Sequence, residues 1–395
     1  VNLLPSLLLM LIGIGQWIQV RIQSQPQDPL EKMIFLFLAI LFGVTCLAED
    51  WQVSLPGSFN HWPFLIIFLA CSSAFAQRPE WMMEVAKVGM ISSWGIALLG
   101  WGQYLLGWQG SWIWGILVFE LLPGSRPTSL FTSPNTLAIY LVTVLSVAIG
   151  MVLQHQSRIL AFLTVVLEFP LLILTASRNG WGITWVAIVL FLGISRCWRW
   201  LATWLGISFL PLGAAIGIPG LRWIVPELIW GRLAATLDPQ ATHFSSTANR
   251  WHAWTFAWDL FRERPWWGWG WQSFSGIYQR QDPPELLGHA HHLYLTLAAE
   301  GGILTLVGFV TLWIWILWRG WQARGQRSEA SLILGIMIAL VAYFCSGLLD
   351  AVFLDGRIHL WIWILLASLN GSFLSLLSTH SQPSSSEPLS DPPSV

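Results

Sequence analysis

The chain reads as an all-α polytopic membrane protein, and three observations predict that class. Of its 395 residues, 55% are hydrophobic and only 10% charged, with a mean hydropathy of +0.61; an ordinary soluble domain carries about 25% charged residues. Apolar runs recur along the whole chain at the roughly 20-residue length that a helix needs to cross a hydrocarbon core about 30 Å thick. Many of the 29 tryptophans stand near run ends, where amphipathic rings settle at the membrane–water boundary. A net charge of -1 with singly scattered basic residues argues against nucleic acid or an acidic surface as partner.

Taken in order, the predicted spans are 3–20, 33–48, 62–77, 84–106, 111–123, 134–153, 158–176, 180–196, 199–218, 291–318, 329–349 and 358–377. That makes about 12 transmembrane helices, or eleven if the short run 111–123 is re-entrant. The first run lacks a basic start and a small-residue cleavage site, so it is read as a span and not as a signal. Residues 1–218 thus hold helices one to nine, and 291–377 hold helices ten to twelve. Between them, 219–290 forms one large external loop with short amphipathic helices, much the longest connection in the chain. The Ser/Pro-rich tail 378–395 is expected to be disordered. No internal repeat is visible, whereas an inverted-repeat transporter would show paired broken segments. Cys46, Cys71, Cys197 and Cys345 lie in apolar runs without ligand spacing and read as small buried hydrophobes.

Short-loop arginines set the orientation. After residue 150, one set of loops carries Arg158, Arg196, Arg199, Arg319, Arg324 and Arg327, which makes it cytoplasmic. Arg178, the long loop, His289 to His292 and Asp350 to Arg357 then share the opposite face. With twelve spans, Arg21, Lys32 and Arg78 are expected on that outer side too.

The residues with chemistry gather on the outer side. Three of nine histidines, His289, His291 and His292, stand within four residues at the mouth of a span. Ionisable groups there are costly to keep and raise a functional hypothesis. An imidazole titrates near neutrality and can take a proton from a hydroxyl. Interfacial anchoring is the plainer alternative, and the sequence leaves open which of the three acts. A metal is disfavoured: His289 and His291 lack a third ligand of suitable spacing. Arg178, in Ser177-Arg178-Asn179-Gly180, offers a planar fork suited to phosphate oxygens, or else snorkels at the interface. Arg250 opens a stretch to Glu263 that suits an amphipathic helix stopped by Pro265, which places Arg250 near the positive end of a helix dipole. Trp251, Trp254 and Trp258 share one face of it. The Gly/Trp alternation over 266–271 suits a sugar or polyprenyl platform, or a packed turn. Asp350 either orients a histidine or substrate hydroxyl, or caps a helix and pairs with Arg357.

In motif order, from about residue 120 to 360, the chain resembles the O-antigen ligase/polymerase superfamily. Phe131-Thr132-Ser133-Pro134-Asn135 looks like its Asn-bearing entry to a middle span, and Ser177-Arg178-Asn179-Gly180-Trp181 its SRxxW turn. Arg250 to Phe274 looks like its Arg-opened loop segment, and His291 with Gly302 its His-x10-Gly signature. The chain departs at His292, where the family often has Asn, and at Gly182, where it usually has Leu. The resemblance implies a GT-C-like, metal-independent, inverting glycosyltransferase without cofactor in the bacterial inner membrane, its active site periplasmic. It would move a glycan from undecaprenyl diphosphate to a hydroxyl on lipid A-core or another glycan. By position, His291 matches the general base, and Arg178 and Arg250 the pair that holds the diphosphate. Asn135, His289, His292 and Asp350 are further candidates for contact with substrate. An O-antigen polymerase is the nearest alternative reading. A bicarbonate or other solute transporter is the next, since a cyanobacterial branch linked to bicarbonate is similar around Arg178, Pro265 and Glu300-Gly301-Gly302.

Overall fold

A computed structural model describes residues 11, 13–15, 18, 28–108, 110–113, 116–120, 126–154, 157–217, 226, 229–231, 242–281, 287–350 and 355–380. Its elements are α1 (Pro29–Cys46), α2 (Trp51–Ser58), α3 (Trp62–Gln77), α4 (Trp81–Leu106), β1 (Gly110–Ile113), β2 (Ile116–Glu120), α5 (Pro134–Leu153), α6 (Arg158–Leu174) and α7 (Arg178–Ile194), followed by α8 (Trp198–Gly217), α9 (Thr242–Glu263), α10 (Ser273–Gln279), α11 (Leu293–Arg324), α12 (Ala330–Ser346) and α13 (Gly356–His380). Among the described residues, six helical stretches are long and apolar enough to cross a membrane: α1, α2 with α3, α4, α5, α11 and α13. The apolar helices α7 and α12 are shorter. The chain is a multi-pass membrane protein. Most of the expected first span 3–20 lies outside the described residues, as do much of 219–241 and the tail beyond His380. Residues 378–380, expected in the tail, continue α13.

Sequence chemistry sets where the helices begin. Ser133 caps α5 by accepting from the Thr136 amide (3.1 Å), with Pro134 at its first position. Ser177 caps α7 by accepting from Gly180 (3.2 Å), and the His292 ring caps α11 by accepting from Leu295 (3.2 Å). A side-chain acceptor at this position satisfies an amide that has no partner within the helix. Helix α5 sits at the centre, buried along nearly its whole length, and packs against α12, α6, α7 and α4.

The run 111–123 is not a spanning helix. Gly110–Ile113 and Ile116–Glu120 pair antiparallel, Ile113 opposite Ile116; β-branched and aromatic residues favour the extended state. With no crossing there, the sides of everything before it are reversed relative to the twelve-span expectation, and the contacts agree. Asp28, at the start of α1, receives two N–H bonds from Arg319 (2.5 and 2.6 Å) near the far end of α11. Met82 accepts from Ser372, late in α13. Lys32 and Arg78 therefore stand at the same end as Arg319 and Arg327, not at the end expected; Arg21 lies outside the described residues. At the other end, Glu49 pairs with Arg264 (3.2 Å), Ser54 accepts from the Trp271 amide (2.9 Å), and Gln103 holds the Thr128 and Ser129 amides.

Helix α11 is broken. Gly302 adopts φ 71°, ψ -177° inside it, and the turn 264–271 docks its backbone there. Trp269 donates to Ala299 O (3.0 Å), Gly270 to Glu300 O (2.9 Å), and Ile303 to Pro265 O (2.7 Å). A Cβ on Gly302 would meet Trp266 O at 2.2 Å, and one on Gly268 would meet Glu300 O at 2.4 Å. The buried Glu300 carboxylate accepts from the Phe274 amide (3.3 Å). The Gly/Trp stretch is thus a packed turn rather than an open platform, with Trp271 buried and Trp266 exposed.

Two outcomes follow. Single cysteines at Arg78 and Gln326, in a background without the native thiols, will react with an impermeant maleimide from the same face of the membrane; the twelve-span arrangement requires opposite faces. Gly302→Ala will lower the thermal unfolding midpoint well beyond an exposed Gly→Ala control such as Gly276→Ala, because the strained φ costs about 1–3 kcal/mol before the backbone clash is added.

Candidate active site at one end of the bundle

Three helix N-termini meet around the last turn of α12. Asn135 is the second residue of α5, and its amide donates to Asp350 Oδ2 (3.2 Å). Arg178 is the first residue of α7, and the neighbouring Asn179 donates to Ser346 O (3.4 Å). Leu293, the first residue of α11, donates its amide to Gly347 O (2.7 Å). The positive ends of three helix dipoles therefore face one corner, an arrangement that favours anions.

His291 occupies that corner with φ 50°, left-handed for a residue with a side chain. Such backbone costs energy and persists where the surroundings hold it. Its Nδ1 lies 3.1 Å from Asp350 Oδ1. Burial alone would raise the Asp350 carboxyl, but the hydrogen bond from His291 and the charges of His291, His289 and Arg250 outweigh it, and its pKa lies below the ordinary value. An ionised Asp350 takes the proton on Nδ1 as a hydrogen bond, which leaves Nε2 as the basic nitrogen; this tautomer is assigned from the network.

The other two histidines are otherwise engaged. His292 uses Nδ1 as the cap of α11 and stands edge-on to Trp254, with ring centroids 5.4 Å apart; its pKa is lowered by burial. His289 accepts the His291 amide on Nδ1 (3.1 Å). Burial, with the nearby His291 and Arg250 charges, pushes it down to about 4 against the opposing pull of Asp350. Both are neutral at neutral pH. His289, His291 and Asp350 each offer a donor atom, all within 4.8 Å of one another, and are the residues that could hold a metal ion. Asp350 is the third ligand type that local spacing failed to show, because it lies 59 residues from His291.

Of the residues singled out from sequence, the fold brings His289, His291, His292, Asp350 and Asn135 together. Arg250 lies near enough for its charge to act on His289 and Asp350, and Arg178 opens α7 beside the same corner. Two expectations change. Helix α9 begins at Thr242, so Arg250 lies two turns inside it and gains nothing from the dipole end; the Ser/Thr-rich lead-in hid the extra turns. Arg357 pairs with Asp355 (2.6 Å) and not with Asp350. Sequence reasoning also missed Glu300 as the anchor of the turn before Phe274; a carboxylate inside an apolar run was the available signal.

Residues 159–310 match the family described as O-antigen ligase. Over that stretch the chain is similar to O-antigen ligases. No curated protein sequence matches the chain. The ligase match runs from α6 into α11, past its break at Gly302, so it takes in Arg178, Arg250 and the histidines and leaves out Asn135 and Asp350. It supports a membrane protein of ligase or polymerase type.

The neutral His289 predicts a pH response. Its folded pKa lies below the unfolded value of about 6.5, so its contribution to stability is full above that value and is lost as pH falls toward 4. His289→Gln will flatten the fall in thermal midpoint between pH 6.5 and 4; an unchanged slope assigns the acid sensitivity elsewhere.

Proposed function

We propose that the chain is an O-antigen ligase-like glycosyltransferase, moving a glycan from undecaprenyl diphosphate to an acceptor hydroxyl on the outer side of the bacterial inner membrane. The observation that carries this reading is the buried Asp350 bonded at once to His291 and Asn135, at an anion-favouring corner beside two arginines. His291 Nε2 takes the acceptor proton as the hydroxyl oxygen bonds to the anomeric carbon. The bond from that carbon to the phosphate oxygen breaks from the opposite face, its electron pair leaving with undecaprenyl diphosphate, so configuration inverts. Arg178 and Arg250 neutralise the growing charge on the diphosphate, as charge-assisted forks can without a metal. The polyprenyl tail stays in lipid, which suits a site at the membrane boundary. Lys32, Arg78, Arg158, Arg196, Arg319 and Arg327 all lie at the far end of the bundle, which supports reading that end as cytoplasmic by the positive-inside rule.

A metal centre on His289, His291 and Asp350 is the second reading, favoured by their clustering. Against it, Arg250 already lends the cluster a positive charge, and the reaction as written needs no Lewis acid.

Transfer assays in reconstituted membranes will separate these. His291→Ala and His291→Gln will lower the rate by about 10²–10⁴ at normal protein level. Asp350→Asn, which removes the carboxylate that fixes the tautomer, will lower it in the same direction. Dialysis against EDTA will leave the wild-type rate unchanged; loss restored by a divalent cation would favour the metal reading. Unchanged transfer by both His291 variants would remove it as the base. Supplying lipid A-core and a second lipid-linked glycan as rival acceptors will tell ligase from polymerase.

A further inference from the structure

Helix α9 buries Ala253, Ala257 and Leu260, which cluster with Ala290 and Ala299 of the α11 region. That face fixes the helix against α11. Its tryptophans do something else: Trp251 is 65% exposed and Trp258 50%, while Trp254 is half-buried between Trp251 (centroids 6.0 Å apart) and His292 (5.4 Å). Trp254 follows Arg250 by four positions, so the two share one side of the helix. Arg250 lies near enough for its charge to act on His289 and Asp350, and the Trp254 ring stands against His292.

We infer that Trp254, flanked by Trp251 and His292, is the subsite for the donor sugar attached directly to the diphosphate. This rests on the reading of the site given above and adds to it the place of the first sugar. A diphosphate held at Arg250 puts that sugar about one helical turn, ~5.4 Å, along the helix, where Trp254 lies. Pyranose C–H bonds carry partial positive charge and lie well on the negative face of an indole. Sequence position supports the same register: His291, which must face the anomeric carbon, is next to His292, which closes the subsite. Trp254 and Trp251 are positioning residues here, and they set preference for a sugar-bearing carrier over a bare one.

The test compares two probes on the full-length protein in nanodiscs: undecaprenyl diphosphate alone, and undecaprenyl diphosphate bearing one N-acetylhexosamine. The wild type will bind the sugar-bearing probe about three- to tenfold more tightly, the scale of one aromatic stacking contact. Trp254→Ala will erase that preference and leave the bare carrier's affinity unchanged, while Trp254→Phe will keep part of it. Trp251→Ala, at an exposed position that cannot unfold the helix, will reduce the preference as well. The subsite is overturned if the wild type shows no preference. It is overturned equally if Trp254→Ala weakens both probes alike, which would make these rings lipid-surface anchors. Failure of both probes to bind the wild type would strike the reading of the whole site, and this subsite with it.

Discussion

A helix that breaks inside a membrane protein leaves peptide groups that no lipid can satisfy, and the break at Gly302 is where this fold is tied together. The turn 264–271 fills it, exchanging three backbone hydrogen bonds with residues 299, 300 and 303. Only glycine fits at Gly268 and Gly302, because two backbones pass at the distance a Cβ would occupy. Glu300 completes the joint from the helix side by holding the Phe274 amide. This docking, with the Glu49–Arg264 pair, the Ser54–Trp271 bond and the buried face of α9, fixes the external segment on the bundle, with α9 leading in and α10 leading out. It therefore sets where Arg250 and Trp254 stand relative to the histidines at the head of α11.

The histidine corner is built from elements remote in sequence. Asp350 ends the α12 turn, Asn135 opens α5, and His291 precedes α11. Each is placed by backbone logic: a serine cap and proline for α5, a histidine cap for α11, and the last carbonyls of α12 as acceptors for Asn179 and Leu293. The left-handed backbone at His291 directs its ring at Asp350 while the His292 ring turns back to cap the helix. Three adjacent imidazoles are thereby given three different tasks. The ionised Asp350, drawn down against the cost of burial by its neighbours, is what distinguishes His291 from the other two.

Much of this was legible in the residues. The apolar periods gave α5 to the residue, at 134–153, and Pro265 set the end of α9 near Glu263. Arg178, Arg250, the histidines and Asp350 were picked out because polar chemistry is scarce in such a chain, and Asn135 through the resemblance to the family's motif. The residues alone left the choice among the histidines open and the resemblance pointed to His291; the bond from its ring to a carboxylate 59 positions away was not legible. Nor was the fate of 111–123: a short run of Ile, Val, Trp and Phe satisfies hydropathy as helix or as hairpin. That one ambiguity reversed the sides of every earlier loop, and only long-range contacts such as Asp28 with Arg319 resolve it.

The central claim is that one pocket holds a carrier diphosphate between two guanidinium groups while His291 faces the sugar it carries. The most direct measurement is an experimental structure of the protein with a lipid-linked glycan bound. The account predicts phosphate oxygens within hydrogen-bond reach of both Arg178 and Arg250, and His291 Nε2 on the side of the anomeric carbon opposite the departing phosphate. A diphosphate seated away from both arginines, or a His291 ring turned from the sugar and free of Asp350, would contradict it.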